Sequence, residues 1–191
     1  MEENLEYFKR LSQLYLFIIL KYRGYIEKAE TKSVADLPKL ITPNDAFIKK
    51  MSDDIKSEFA SYFYDVDFYA ASLQAFNRVK SNIVDFSFPI QFWLKPKDIL
   101  SLGISDEIGK NTLLCSILIG LGNYSSKVLV SFKNYHTYVF TYYEFNSKLF
   151  LMSFNDSIRV FDNNKELFNY IKIDETTSAY EFNNISYFNI A

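Results

Sequence analysis

Residues Phe92–Gly122, FWLKPKDILSLGISDEIGKNTLLCSILIGLG, decide the fold. The segment begins with a short helical turn that contains Pro96, breaks at Gly103, and continues as a second helix whose residues 113–121 are almost all apolar. A helix that is apolar on every side is stable in water only when other elements surround it. The segment therefore predicts a helix at the centre of the domain, with the rest of the chain packed around it.

The ends of this central helix carry start and stop signals. Ser105 is a good N-cap residue, and Asp106 and Glu107 place carboxylates in the first turn, where the helix dipole favours negative charge. Gly122 ends the helix. Any group at the first turn is therefore expected to be held on a rigid, buried support.

The composition of the 191-residue chain limits the classes of function. Its apolar content of 49% allows one domain with a real core, and a net charge of −2 gives no general basis for binding nucleic acid or an anionic membrane. Cys115 is the single cysteine and His136 the single histidine. A disulfide framework is thus excluded and a zinc site disfavoured, so we expect no metal and no cofactor.

A helix is predicted from residue 3 to about residue 28. Its apolar residues recur at spacings of three and four, and its first turn carries glutamates. The apolar run 14–20 is too short to span a bilayer and is closely bracketed by Lys and Arg, so it predicts a core helix and a cytoplasmic location. A helix lying in a membrane surface is the alternative. The apolar positions of the predicted helix are Leu5, Phe8, Leu11, Leu14, Tyr15 and Ile18.

The order of the remaining elements predicts an α+β fold. Residues 29–43 contain two prolines and are typical of a linker, and helices are expected over 45–64, capped by Thr42 or Asn44, and over 67–83. After the central helix the apolar pattern alternates, which indicates an antiparallel sheet packed on that helix. The expected strands are 127–132, 137–143, 148–154 and 157–161, followed by a short helix over 165–171 and one or two last strands between 180 and 190.

The central segment also resembles the nucleophile segment of the transglutaminase-like superfamily, which has a papain-like fold, and in particular its small microbial members. The resemblance covers roughly residues 67–190, so it implies a helical extension over 1–65 and a transglutaminase-like domain over 66–191. The residues that match the family pattern without a gap are Trp93, Pro96, Leu100, Gly103, Asp106, Leu113, Leu114, Leu118, Leu121 and Gly122.

The resemblance implies three catalytic positions, of which one is kept. The family carries a cysteine at the helix N-terminus, a histidine at the start of a later strand, and an acidic residue on the following strand. Here Glu107 stands at the cysteine position and Ser153 at the acidic position, and only His136 is retained. A carboxylate is a far weaker nucleophile than a thiolate, so we expect no catalysis by the family route.

Several roles remain open for these residues. We expect Glu107 and His136 to form an ion pair or a hydrogen bond. The alternatives are that Glu107 is only a first-turn helix carboxylate and that His136 is an ordinary strand histidine. Cys115 lies two turns below the head of an apolar helix, so we expect an inert thiol. The residues expected to line a cleft at the helix head are Trp93, Asp106 and Tyr135.

The leading functional expectation is a catalytically inactive transglutaminase-like protein that binds or scaffolds another protein. The helical extension would form part of that surface, and a homo-oligomer is left open. One alternative is a hydrolase that uses acid–base chemistry by Glu107 and His136. Another is a structural component of a virus particle or a cellular assembly, since the abundance of Ile, Lys, Asn, Tyr and Phe indicates an AT-rich archaeal, bacterial or viral genome.

Overall fold

The computed structural model describes residues 2–26, 34–86, 93–133, 136–173 and 177–190. Within these residues the chain forms helices first and then one antiparallel sheet, so the predicted α+β class is confirmed. The elements are α1 (Glu2–Ile26), a 3-10 helix (Val34–Leu40), α2 (Ala46–Lys56), α3 (Tyr64–Asn82), β1 (Val84–Asp85), α4 (Pro96–Leu102), β2 (Ile104–Ser105), α5 (Glu107–Gly120), β3 (Lys127–Lys133), β4 (His136–Phe145), β5 (Lys148–Met152), β6 (Arg159–Phe161), α6 (Asn164–Tyr170), β7 (Ser178–Phe182) and β8 (Tyr187–Asn189).

The main sheet has six strands in the order β6-β5-β4-β3-β7-β8, and all neighbours are antiparallel. Its strands follow the alternating and aromatic segments of the sequence, which favour a pleated, half-buried surface. β1 and β2 form a separate parallel pair of two residues each, directly before α5. The papain-like topology expected from the resemblance stays a prediction.

α5 lies at the centre of the domain, as the sequence predicts. Every residue from Gly109 to Ile119 is buried. Helices α2, α3 and α4 pack on one side of α5, and strands β3 and β4 pack on the other. A helix enclosed in this way loses almost all contact with water, which is why its apolar residues occur on all sides.

The buried polar side chains of α5 all have partners. Thr112 donates a hydrogen bond to the Gly109 carbonyl at 3.0 Å, and Ser116 donates to the Thr112 carbonyl at 2.7 Å. Asn111 accepts from the Thr141 hydroxyl on β4 at 2.8 Å. Because an unpartnered buried polar group is costly, the Asn111–Thr141 bond restricts how α5 lies against the sheet, while the other two bonds satisfy polar groups within the helix.

The two faces of the sheet are covered by different elements. On β4, Val139 and Tyr143 pack towards the helices on the α5 side, whereas Phe140 and Tyr142 pack with Leu167 of α6 on the other side. We call these the inner and outer faces. Side chains alternate between faces along a strand, so each β4 residue can be assigned to one of them.

Three local predictions are corrected by the structure. The N-cap of α5 is Asp106 and not Ser105, since Asp106 Oδ1 accepts from the Gly109 N–H at 2.7 Å while Ser105 lies in β2. The N-cap of α2 is Asp45, which accepts from the Phe47 N–H. α2 ends at Lys56, eight residues before the predicted end, because the chain turns there and Tyr62 donates a hydrogen bond to the last turn of α5.

The predicted extension over 1–65 shares its core with the rest of the chain. Leu14 and Ile18 of α1 and Ile48 and Ile55 of α2 lie in one buried cluster with residues of α3 and α5. The expected linker contains the 3-10 helix, whose Leu37 is buried. The division into 1–65 and 66–191 stays a prediction. Across the described part of the chain, none of the helices combines the length and apolar content required to cross a bilayer.

The close contact between α2 and α5 gives a stability prediction. A Cβ at Gly120 would lie 2.4 Å from Ser52 Oγ and 3.2 Å from Ser52 Cβ. We expect Gly120→Ala to lower the free energy of unfolding by about 1–3 kcal/mol, measured by urea denaturation, because the two helices would have to separate. The control is Gly24→Ala in α1, where no atom lies within 4 Å and a stabilisation of up to about 1 kcal/mol is expected. Equal stability of Gly120→Ala and wild type would contradict the observed α2–α5 packing.

Candidate functional site

The first turn of α5 is the centre of a cluster of charged side chains. Asp106 and Glu107 begin the helix, and Lys110 follows one turn later. The parallel pairing of β1 with β2 sets Asp85 opposite Ser105 and so brings a third carboxylate to the same place. Two short strands thus determine which charges meet at the N-terminal end, or head, of α5.

Gly109 allows the first turn to lie close to β2. A Cβ at this position would be 2.0 Å from Ser105 Oγ and 2.9 Å from Ile99 Cδ1. Ser105 Oγ is itself buried and has no hydrogen-bond partner within the described part of the chain. The glycine therefore has a packing role, at a position where the resemblance places an acidic residue.

Lys110 is a buried cation with one carboxylate partner. Its side chain is 2% exposed, and its ammonium group lies 2.6 Å from Asp85 Oδ1. The ammonium is also 5.5 Å from the centroid of the Phe154 ring. A buried charge is tolerated only when it is paired, so Asp85 and Lys110 must be considered as one unit.

Glu107 is held by an amide and not by a histidine. Its Oε1 accepts a hydrogen bond from Asn155 Nδ2 at 2.9 Å. Burial, together with the neighbouring Asp85 and Asp106 carboxylates and against the Lys110 ammonium, raises the pKa of the Glu107 carboxyl to about 7. Burial likewise raises the pKa of Asp106 to about 6, against the hydrogen bond from the Gly109 N–H. Both carboxyls therefore keep their protons to a higher pH than free side chains do.

The structure does not bring His136 to Glu107. On β4, His136 is an even number of residues away from Tyr138 and Tyr142, so its side chain lies with theirs on the outer face. Its ring centroid is 6.4 Å from that of Tyr138. Glu107 lies at the head of α5, on the inner side of the sheet.

Ser153, expected at the acidic position, also lies on the outer face. It lines a cavity of about 410 Å³ between the sheet and α6. Asp156 in the same wall pairs with Arg159 at 3.0 Å and accepts from the Tyr170 hydroxyl at 2.9 Å. This cavity has a mixed cationic and aromatic lining and is separate from the head of α5.

Trp93 and Asp106, two of the predicted cleft residues, have packing and capping roles in the described part of the chain. Trp93 is 9% exposed and packs in a core cluster with Cys115 and Ile119. Asp106 is the N-cap of α5, and Tyr135 lies outside the described residues. Cys115 is fully buried, and burial raises the pKa of its thiol far above the ordinary value, so the thiol is unreactive.

Asn155 is the site residue that the sequence analysis missed. It follows β5 by three residues, beyond the regular strand, and its amide reaches back to Glu107. Asn155 lies in the turn between β5 and β6. A turn residue follows no strand alternation, so the sequence pattern gave no signal for this contact.

Within the described ranges, no group of three or more His, Cys, Asp or Glu side chains is placed to hold a metal ion. Comparison with known proteins adds no relative, because neither a family model nor a curated protein nor a solved structure matches the chain.

The raised pKa of Glu107 predicts a pH-dependent stability. Its pKa is about 7 in the folded protein against 4.5 for the free side chain, so the folded state binds this proton more tightly. The free energy of unfolding should therefore fall as pH rises from about 4.5 through 7. We expect Glu107→Gln to match wild type at pH 4.5 and to exceed it at pH 8 by on the order of 1 kcal/mol, in urea denaturation.

The control for this measurement is Asp65→Asn, which removes an exposed carboxylate from the first turn of α3. This variant should keep the pH dependence of wild type. In Glu107→Gln the free energy of unfolding should still fall with pH, but less steeply, since Asp106 also has a raised pKa. A Glu107→Gln variant that is less stable than wild type at pH 8 would show that the ionised carboxylate stabilises the fold, contrary to this account.

Proposed function

We propose that the protein is a catalytically inactive member of the transglutaminase-like superfamily that acts by binding another protein through its helical N-terminal extension. The observation that carries this proposal is the exposed apolar face of α1. Contiguous exposed apolar surface on a folded domain is typical of a protein-interaction site. The large apolar side chains exposed on α1 are Leu5 (72%), Phe8 (59%), Tyr15 (41%), Leu16 (59%), Ile19 (58%) and Leu20 (74%).

The opposite face of α1 is anchored to the domain. Leu14 and Ile18 are buried in the core, and Lys21 pairs with the buried Asp98 of α4 at 2.6 Å. Arg10 donates a hydrogen bond to the Gly103 carbonyl at 3.4 Å. A helix that is anchored on one face and apolar on the other presents a preformed docking surface, which lowers the entropic cost of binding.

The head of α5 supports the inactive part of the proposal. The Glu107 carboxyl accepts a hydrogen bond from Asn155, and the neighbouring Lys110 ammonium forms an ion pair with Asp85. The single thiol is buried, so no described side chain offers an activated nucleophile at this position. The alternative hydrolase is not proposed, because the alternation of β4 places His136 on the outer face whereas Glu107 lies on the inner side of the sheet. No observation favours a virion component over a cellular one.

An activity measurement tests the inactive part. We expect no turnover of amide or ester probes above the uncatalysed background, and the same result for Glu107→Gln and His136→Ala. Denatured wild-type protein is the control for the background. Turnover by wild type that is abolished in Glu107→Gln would identify an enzyme and refute the proposal.

A site-specific crosslinking measurement tests the binding part. We expect a photo-reactive residue at Leu16, introduced into the full chain in its native host, to form protein adducts, because Leu16 lies in the exposed face of α1. The matched control is the same group at Ser101, an exposed residue of α4. Equal adduct formation at both positions, or none at Leu16, would contradict a docking role for α1.

A further inference from the structure

Five exposed residues along the middle of the α1 face, four of them apolar, have a palindromic spacing. Leu5, Phe8, Ser12, Leu16 and Ile19 are all exposed and follow one another at intervals of three, four, four and three residues. Such intervals return to the same side of a helix. A pattern that is identical in both directions is self-complementary when two copies of the helix lie antiparallel.

From this pattern we propose that the partner of α1 is a second copy of the same chain. The two α1 helices would pack antiparallel about a two-fold axis at Ser12, so that Leu5 of one copy meets Ile19 of the other and Phe8 meets Leu16. A two-fold interface uses the same patch on both subunits. This inference rests on the proposed binding function and adds the identity of the partner.

Ser12 is suited to the position on the axis. It is the one small residue among the five, and it lies midway between the larger side chains on either side. A small residue at the crossing point allows two helix backbones to approach, while larger residues on both sides fill the space between them. Leu5 and Ile19 are 14 residues apart, which is about 21 Å along a helix.

The charges of α1 favour the antiparallel over the parallel arrangement. Glu6 lies near the start of α1, whereas the last turn carries Arg23. Antiparallel packing brings the acidic end of one copy to the basic end of the other and opposes the helix dipoles favourably. Parallel packing would place the Glu6 residues of the two copies at the same end. The charge pattern therefore selects one orientation of the same apolar contact.

The exposed area is sufficient for a specific dimer. Six large side chains that are 41–74% exposed offer roughly 100 Å² each, so each copy would bury about 600–700 Å², close to the share of one partner in a standard interface of about 800 Å². The exposed surface of this face thus approaches the area that a specific contact between two copies requires.

Disulfide trapping tests the arrangement on the full chain. The native thiol is buried, so an introduced surface cysteine is the reactive one. We expect Ser12→Cys to form a covalent dimer under mild oxidation, and a mixture of Leu5→Cys and Ile19→Cys to form the mixed disulfide. Leu5→Cys alone should stay unlinked, since the two thiols would be about 21 Å apart.

The control for trapping is Ser101→Cys on α4, which is also exposed and should not form a dimer. Rapid dimerisation of Leu5→Cys alone would indicate parallel helices and overturn the proposed arrangement. Equal crosslinking of Ser101→Cys and Ser12→Cys would indicate random collision and would overturn it as well.

Sedimentation of the unmodified protein tests the dimer itself. We expect a reversible dimer in wild type, a monomer in Leu16→Glu with an unchanged thermal melt, and a dimer in Ser101→Glu. A wild-type monomer at concentrations up to about 1 mM would overturn the inference, as would a Leu16→Glu variant that still forms a dimer.

Two further measurements separate this inference from the proposed function. If wild type is monomeric while the photo-reactive group at Leu16 still captures other proteins, a second copy is the wrong partner and the binding function stands. If the monomer instead floats with vesicles of phosphatidylserine and phosphatidylcholine and forms no protein adducts, α1 is a membrane-surface helix, and both proposals fail.

Discussion

Burial of α5 is the constraint on which the rest of the structure depends. A 14-residue helix with no exposed side has to be surrounded by helices on one side and a sheet on the other, which leaves few ways to arrange the chain. Its polar residues restrict the arrangement further. Asn111 must meet Thr141 of β4, and Lys110 must meet Asp85 of β1, because neither group can be left buried without a partner.

The same constraint produces the chemistry at the head of α5. Packing of the first turn under β1 and β2 takes the Glu107 and Asp106 carboxylates partly out of water, and this burial is the main cause of their raised pKa values. Lys110 reduces the free-energy cost of ionising the buried Glu107 carboxyl. Asn155 donates a hydrogen bond that Glu107 can accept in either protonation state. The result is a cluster of three carboxylates and one buried cation at the start of α5.

α1 differs from the other helices in the use of its two faces. One face contributes Leu14 and Ile18 to the core and is tied to α4 by the Lys21–Asp98 pair, so the helix position is fixed by the domain. The other face carries Leu5, Phe8 and their neighbours with no described element covering them. The proposal that a second copy of the chain covers this stripe rests on the palindromic spacing of its exposed residues.

The sequence by itself determined the α+β class, the central position of α5, and the approximate bounds of most helices and strands. It could do so because these features depend on local periodicity, which a helix apolar on every side and a set of alternating strands display clearly. It could not determine the face of the sheet on which His136 and Ser153 lie. Both faces of β4 are apolar, since the helices cover one and α6 the other, and alternation then gives no direction.

Only the tertiary structure decided the partners at the head of α5 and the exposure of α1. The Glu107–Asn155 contact joins residues 48 positions apart in the chain, and Asn155 lies in the turn between β5 and β6, so no local pattern predicts it. The short apolar run 14–20, bracketed by Lys and Arg, predicted a core helix. Which of its faces became buried was fixed by the position of α4 and β2, because burial depends on what packs against a helix and not on the helix alone.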